Sequence, residues 1–510
     1  MQIIRQSLQG FESRYNAAAG KEETADIIVP DSFPDILHII DAKGLACLKE
    51  KRLTESGVEL VGAMRVSVLY RPDDQTEQIK KLEVMIPFQH IFEQRGLPND
   101  AKIFACASLN SSNARAVNPR KVQVTAGISM EIQVYALQQA EICSNISAEE
   151  KLGLEALTKQ VRVQLPVSVR DRVFTVSDQI ELPSGRPPIG EILHASVRLS
   201  AKETKIIGSK VVLKGSANVS VLYQNPPNEA INISSWAQDI LFSQILEMDA
   251  LDETARVTVN LTLTGIDLDL RGDGRTVSVE LAIDAQALAV ADRGLDILSD
   301  VYSTNFDIQP EAREISLLTM PDSFSGRAQA RETVQLNPAA HSIVDTEITV
   351  MPPEGRAEDG NTVLNTEVIA KILYITEDGQ YAGAEVRMPV SAAVPNPEGA
   401  HITARADTDG EIFSALTADG IEVRCTVIFD GTMSERQRLV TVDGVKGDME
   451  TPREGGGRAS VILRRVDGDE SLWDIAKRYN TTQKDIAAAN ALTETVELSA
   501  GMLLLIPRKR

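Results

Sequence analysis

The sequence is poor in the residues and runs that mark several large function classes. Its four cysteines, Cys47, Cys106, Cys143 and Cys425, lie far apart and form no CxxC pair or Cys/His cluster. That excludes a disulfide framework and a zinc site, and leaves isolated reduced thiols. Basic charge is also short: 52 Lys and Arg against 73 Asp and Glu leave a net charge of −21. A nucleic-acid or anionic-membrane surface would need a basic patch that this balance does not supply. No stretch reaches the roughly 18 consecutive apolar residues of a membrane span. The opening MQIIRQSLQGFESRYNAAAG lacks the apolar run of a signal peptide, so a cytosolic location is the expectation.

Catalytic patterns are missing too. The chain has no GxxxxGK[ST] loop, no GxSxG elbow and no HExxH. His38, His90, His194, His341 and His401 are scattered. His38 and His194 follow Ile-Leu at nearly corresponding places, which reads as structural because no second ligand lies at a useful spacing. Carboxylates are too many for any pair to be nominated for acid–base work. Asp73-Asp74 and Asp273 read as turn residues, since no loop has the alternation of a Ca²⁺ site. The expectation is a non-enzymatic protein with no cofactor and no metal.

What is present is ordinary globular composition, 43% hydrophobic and 25% charged, in a chain of 510 residues, too long for one core. It contains a repeat of whole-domain size. Leu60–Tyr70 (LVGAMRVSVLY) matches Leu213–Tyr223 (LKGSANVSVLY), and a weaker copy runs from Leu364 to Tyr374. VPDSFPDI (Val29–Ile36) aligns without a gap to LPSGRPPI (Leu182–Ile189), and Ile86-Pro87-Phe88 has counterparts in Ile240-Leu241-Phe242 and Met388-Pro389-Val390. Within the copies, apolar residues alternate: Val122, Val124, Ile128, Met130, Ile132 and Val134 share one parity. Val257, Val259, Leu261 and Leu263 do the same until a shift near Gly265 that predicts a bulge. Asn118-Pro119 and Arg271–Gly274 read as hairpin turns.

The fold class expected is mainly β. Three antiparallel sandwich- or barrel-like modules at 21–145, 165–302 and 320–447 follow a short N-terminal segment, 1–20. The segment 448–459, with Thr451-Pro452-Arg453-Glu454-Gly455-Gly456-Gly457-Arg458, reads as a flexible linker that frees a last domain at 460–508.

In that last domain Val461–Val466 reads as a strand, closed by the turn Asp467-Gly468-Asp469. Ser471 is placed to cap a helix carrying Leu472, Trp473, Ile475, Ala476 and Tyr479. Thr482 is placed to cap a second helix with Ile486, Ala487 and Ala489, and Gly501 turns the chain into a final strand, Met502–Ile506. This strand–helix–helix–strand order with one buried tryptophan resembles the LysM family. The resemblance implies binding of N-acetylglucosamine-containing glycans or of a protein, with Trp473, Ile475, Ile486 and Ile506 in the core. It points to Gly468, Asp469, Glu470, Ser471, Leu472, Ser499 and Gly501 in the binding loops. The chain departs from the family where it counts. Asp469-Glu470-Ser471 stands in place of Gly-Asp-Thr, and Ser499-Ala500-Gly501 in place of Tyr-Pro-Gly. The closing strand is apolar on both parities, so the face carrying Leu503 or Leu505 that does not fill the core is expected either to bind a protein or to pack against the third module.

IIVPDSFPDILHII, the strand ending in VSVLY and then IPFQHI resemble the SPOCS domain (DUF3794) of clostridial spore coat proteins. Three such domains and a C-terminal LysM resemble the layout of spore coat morphogenetic proteins. That resemblance implies a scaffold in the mother-cell cytosol, at the forespore surface. Its implied partners are a coat morphogenetic ATPase, similar to stage IV sporulation protein A, and other coat proteins. The alternative is a peptidoglycan-binding protein of the cortex or wall.

Overall fold

A computed structural model describes the chain apart from residues 75–77, 227–231, 321, 397–398, 454–460, 469, 494–497 and 508–510. The first module has six strands: β1 (Gln2–Ile28), β2 (Ile36–Thr54), β3 (Gly57–Pro72), β4 (Lys80–Glu93), β5 (Lys102–Asn118) and β6 (Lys121–Ser147). They form two antiparallel sheets, β1-β6-β5 and β2-β3-β4. Val122, Val124, Ile128, Met130, Ile132 and Val134 are all buried between the sheets, as their shared parity requires. The second module repeats the plan with β7 (Leu154–Glu181), β8 (Glu191–Ile207), β9 (Lys210–Gln224), β10 (Ile233–Glu247), β11 (Arg256–Leu270) and β12 (Thr276–Ser303). Its sheets are β7-β12-β11 and β8-β9-β10, and the register of β11 on β12 shifts between Leu263 and Gly265, where a bulge is expected. Trp236, on β10, is part of the core.

In the third module two strands are broken. β13 (Asp307–Thr319) and β14 (Ser323–Val334) together fill the place of β1, β15 (Ala340–Val350) and β16 (Glu354–Glu358) that of β2. The second break falls at Met351-Pro352-Pro353, where proline has no N–H to give the ladder. β17 (Asn361–Thr376), β18 (Tyr381–Pro395), β19 (His401–Thr417) and β20 (Gly420–Asp448) complete it. The last domain is β21 (Val461–Arg465), α1 (Leu472–Tyr479), α2 (Gln483–Ala489) and β22 (Leu503–Pro507).

The first and last strands of each module outrun its sandwich. β5 leaves β6 at Tyr135, yet β1 pairs with β6 out to Gln2↔Ser147. The same holds for β7 on β12 and β13 on β20, so each module extends a two-stranded ribbon. The expected module starts at 21, 165 and 320 are therefore too late. Residues 1–20 are not a separate segment but make up most of β1, an edge strand of the first module. Between Gln2 and Glu12 only Leu8 and Glu12 are buried, which is why no apolar alternation advertises a strand there.

The modules are not beads on a string, as repeated domains of independent stability would be. Each ribbon has a bulge at the same height, and the residues beside it meet: Cys143 and Ile146 with Leu298 and Val301 and with Val442 and Val445. The Thr441 hydroxyl reaches the carbonyls of both Cys143 (3.2 Å) and Leu298 (3.3 Å). At the sandwich end a second bulge recurs in all three modules, opposite the repeat tyrosines Tyr70, Tyr223 and Tyr374. It pushes Ile40, Leu193 and Val344 out of the pleat. These three pack with Leu69, Leu222 and Leu373, the residues just before the tyrosines, in one buried cluster. Equivalent positions from three modules of the same strand plan thus close two hubs in a pseudo-threefold arrangement.

Beside the second hub the equivalence is broken by charge. Asp41, His194 and Asp345 occupy one register position, each opposite the hub leucine of its own module. Lys43 is completely buried, with its ammonium 2.7 Å from Asp345 and 3.4 Å from Glu347. His194 stands 3.4 Å from Glu347, so its structural reading agrees with its place in the core. From the other side, Lys371 donates to the carbonyls of Ala42 (2.6 Å) and Ser112 (2.5 Å). Modules one and two are joined by a backbone mimic. The Gln286 carboxamide accepts from the Ala105 N–H (2.9 Å) and donates to the Ala105 carbonyl (2.7 Å), closing the edge of β5 as a neighbouring strand would.

Candidate interaction site

The LysM-like domain is built as its caps dictate. Ser471 accepts from the Asp474 N–H at 3.2 Å while its own N–H donates to the Asp474 carboxylate at 3.0 Å, a reciprocal capping box. Thr482 accepts from the Asp485 N–H at 3.0 Å to start α2. Ile475, Ile486, Leu504 and Ile506 are fully buried and Trp473 nearly so, one small core that also takes in Tyr302.

Tyr302 belongs to β12, and that is the main correction. The domain does not swing on a free linker but sits on the tip of the second module's ribbon. The Trp473 indole N–H donates to Asp300 at 2.8 Å, and the Lys477 ammonium lies 2.7 Å from both Asp300 oxygens. The Tyr302 hydroxyl donates to the Thr481 carbonyl at 2.7 Å. Within the expected linker, Arg453 donates its N–H to the Asn305 carbonyl at 2.8 Å and pairs with Asp307 at 3.1 Å; residues 454–459 lie outside the described residues.

The expected binding residues fall into two groups. The loops meet at one end of the domain, where a Cβ on Gly468 would stand 3.7 Å from that of Ala500. Gly468, Ser471 and Ser499 are exposed there, with Gly501 half-buried at a φ of +84° that glycine accommodates. Asp469 lies outside the described residues. Glu470 is committed: Arg464 holds both its oxygens at 2.6 Å and Arg478 one at 2.8 Å. Leu472 is buried in the core and presents nothing to a partner, because it follows the cap into the inward face of α1.

The second group is on the sheet. Leu504 and Ile506 point into the core while Leu503 and Leu505 are 60% and 43% exposed. Leu463, at register with Leu505, is 63% exposed and Val461 54%, so β21 adds to the same apolar face. Both residues of β21 went unread at the sequence level, although Val461-Ile462-Leu463 is apolar on both parities just as β22 is. Asn490, also unforeseen, closes the free edge of β22: it accepts from the Leu505 N–H at 2.8 Å and donates to the Leu505 carbonyl at 2.7 Å.

Elsewhere, clefts lie at module junctions. One, of about 230 Å³, holds Asp41, Lys371 and Glu385 between the first and third modules. Among the described residues no group of His, Cys, Asp and Glu has the spacing of a metal site, and no helix is long and apolar enough to cross a membrane.

Comparison with protein families matches the SipL, SPOCS domain at residues 35–117 and 188–271 and the LysM domain at 466–507. No curated protein and no solved structure matches the chain. Both matched domains are binding rather than catalytic domains. The chain therefore carries two SipL SPOCS domains and a C-terminal LysM domain, the makeup of a sporulation-associated protein with a binding module of the peptidoglycan-binding type.

Proposed function

We propose that this chain is a non-catalytic scaffold of spore envelope assembly, and that its LysM domain grips a protein rather than a sugar. The partner proposed is a coat morphogenetic ATPase similar to stage IV sporulation protein A, met in the mother cell at the forespore surface. One observation carries the reading: the sheet of the LysM domain presents Leu503, Leu505 and Leu463 to solvent over a core already filled by Leu504 and Ile506. An apolar face of this kind is stabilised by covering it with protein. The loops support the same choice. Their acid Glu470 is tied up by two arginines, and Ser499-Ala500-Gly501 offers no ring for a sugar to stack on. The three modules then act as one compact base that holds the LysM domain at a fixed place on a ribbon tip, rather than as a flexible multivalent string.

The alternative, a peptidoglycan-binding protein of cortex or wall, rests on the LysM match. Calorimetric titration of the whole chain separates the two. The expected result is saturable binding to the purified ATPase and no heat with chitin oligosaccharides; sugar binding without affinity for the ATPase would overturn the proposal.

A further inference from the structure

In an antiparallel pair, opposed residues alternate between exchanging both hydrogen bonds and exchanging none. Both backbone groups of Leu505 turn away from β21 toward Asn490, so Leu463↔Leu505 is a pair without mutual hydrogen bonds. The N–H and carbonyl of Leu463 therefore point out of the sheet, along the free edge of β21, and Arg465 two residues on repeats the direction. This chain closes exposed edges elsewhere. Gln286 plugs β5 at Ala105 and Asn490 plugs β22 at Leu505, each with a carboxamide. Among the described residues no side chain does so for Leu463.

From this geometry we infer that the edge of β21 is a strand-addition site for an extended segment of the partner protein, a deepening that rests on the protein-docking reading above. The segment adds its backbone to Leu463 and Arg465 and lays alternate apolar side chains beside Val461 and Leu463. Charge sets one flank, where Arg465 is exposed at the end of the edge. A segment with apolar alternation and an acidic residue at that end is complementary. A second copy of β21, Val461–Arg465, carries two arginines and no acid, so it lacks that complement.

Hydrogen exchange resolved to single amides, on the full chain alone and with the purified ATPase, tests this. In the free chain Ile462 and Arg464 should exchange slowly and Leu463 and Arg465 fast; in the complex the latter two should slow by at least about tenfold. Leu463→Pro removes the leucyl side chain together with the outward N–H and should weaken the complex by about tenfold or more, while Leu463→Ala, which loses the side chain but keeps the N–H, should weaken it only about threefold. Slow Ile462 and Arg464 amides in Leu463→Pro certify its fold, and the exchange measurement on the unaltered chain does not depend on that variant. A complex that leaves Leu463 and Arg465 exchanging fast overturns the edge site while leaving protein docking intact. Failure to form any complex with the ATPase overturns both. Protection of the same amides that rises with the concentration of the chain alone assigns the edge to a second copy, and overturns the proposed partner.

Discussion

The ring of Tyr302, at the end of the second module's ribbon, meets the indole of Trp473 in α1 edge to face, with centroids 4.8 Å apart and planes at 71°. The pair joins two domains more than 150 positions apart in the chain and replaces the free linker with a seat. Tyr302→Ala removes the edge-to-face contact, the hydroxyl bond to Thr481 and buried apolar area, together about 3 to 5 kcal/mol. Asp300→Asn, which touches a half-exposed ion pair, should cost no more than about 1 kcal/mol. Tyr302→Ala should therefore release the LysM domain, seen as faster amide exchange in α1 and quicker proteolysis after Arg453. Unchanged exchange in α1 would show that the seat lies elsewhere.

Lys43 offers a test of the sandwich hub. Replacing it by Met strands Asp345 and Glu347 in the interior, and breaking a buried pair in this way costs about 3 to 5 kcal/mol. Urea unfolding at neutral pH should show that loss, and Lys43→Met combined with Asp345→Asn and Glu347→Gln should recover part of it. A triple variant no more stable than Lys43→Met alone would mean that packing, not charge, explains the loss.

The same cluster sets a pH window. Burial alone would raise the Glu347 carboxyl, but His194 and Lys43 outweigh it and bring it from 4.5 down to about 2. A carboxylate held below its ordinary value contributes stability above that value, and the contribution fades as pH falls from about 4.5 toward about 2. The stability gap between the unaltered chain and Glu347→Gln should be full at neutral pH and shrink through that acid range. A gap that stays constant there would refute the ionic role.

Module independence is a further point of test. A fragment of residues 21–145 lacks most of β1's ribbon half and exposes Ile142 and Cys143, which in the whole chain are buried by the other modules. It should show β-type circular dichroism without a cooperative melt, whereas the intact chain melts its three modules together. Within the hub, Leu222→Ala should cost about 2 to 5 kcal/mol. Leu241→Ala, on a side chain 78% exposed, should stay within about 0.5 kcal/mol. Equal effects would place Leu222 outside any hub.

Much of each sandwich was legible because in strands such as β6 one parity is buried more deeply than the other, although β3 and much of β12 are buried on both faces. Val122 through Val134 and Val257 through Leu263 announce their parity for that reason. The way three sandwiches meet was not. Ile40, Leu193 and Val344 read as ordinary strand residues, and only the recurring register shift shows that they leave the pleat to reach the hub. Lys43 and Glu347 look like solvent-facing charges until the third module covers the first. In the LysM domain the caps and core were readable from local rules, while the loop acids looked available because Arg464 and Arg478 are distant enough in sequence to hide their claim on Glu470.

That claim separates stability from binding at the candidate site. Glu470→Ala leaves Arg464, which is only 14% exposed at its side chain and also donates to the Tyr479 hydroxyl at 3.0 Å, with only the longer, 3.5 Å contact to Asp467 as a carboxylate partner. The loss should be about 1 to 3 kcal/mol of stability. Partner affinity should change little, since Glu470 faces its own domain. Leu503→Ala removes a side chain that touches mainly solvent in the free chain, so the melting temperature should hold while affinity for the ATPase falls by about 1 to 2 kcal/mol. Thermal melts and titrations of the two variants form a crossed comparison. If Glu470→Ala instead abolished binding with its fold intact and Leu503→Ala bound normally, the loops and not the sheet would hold the partner.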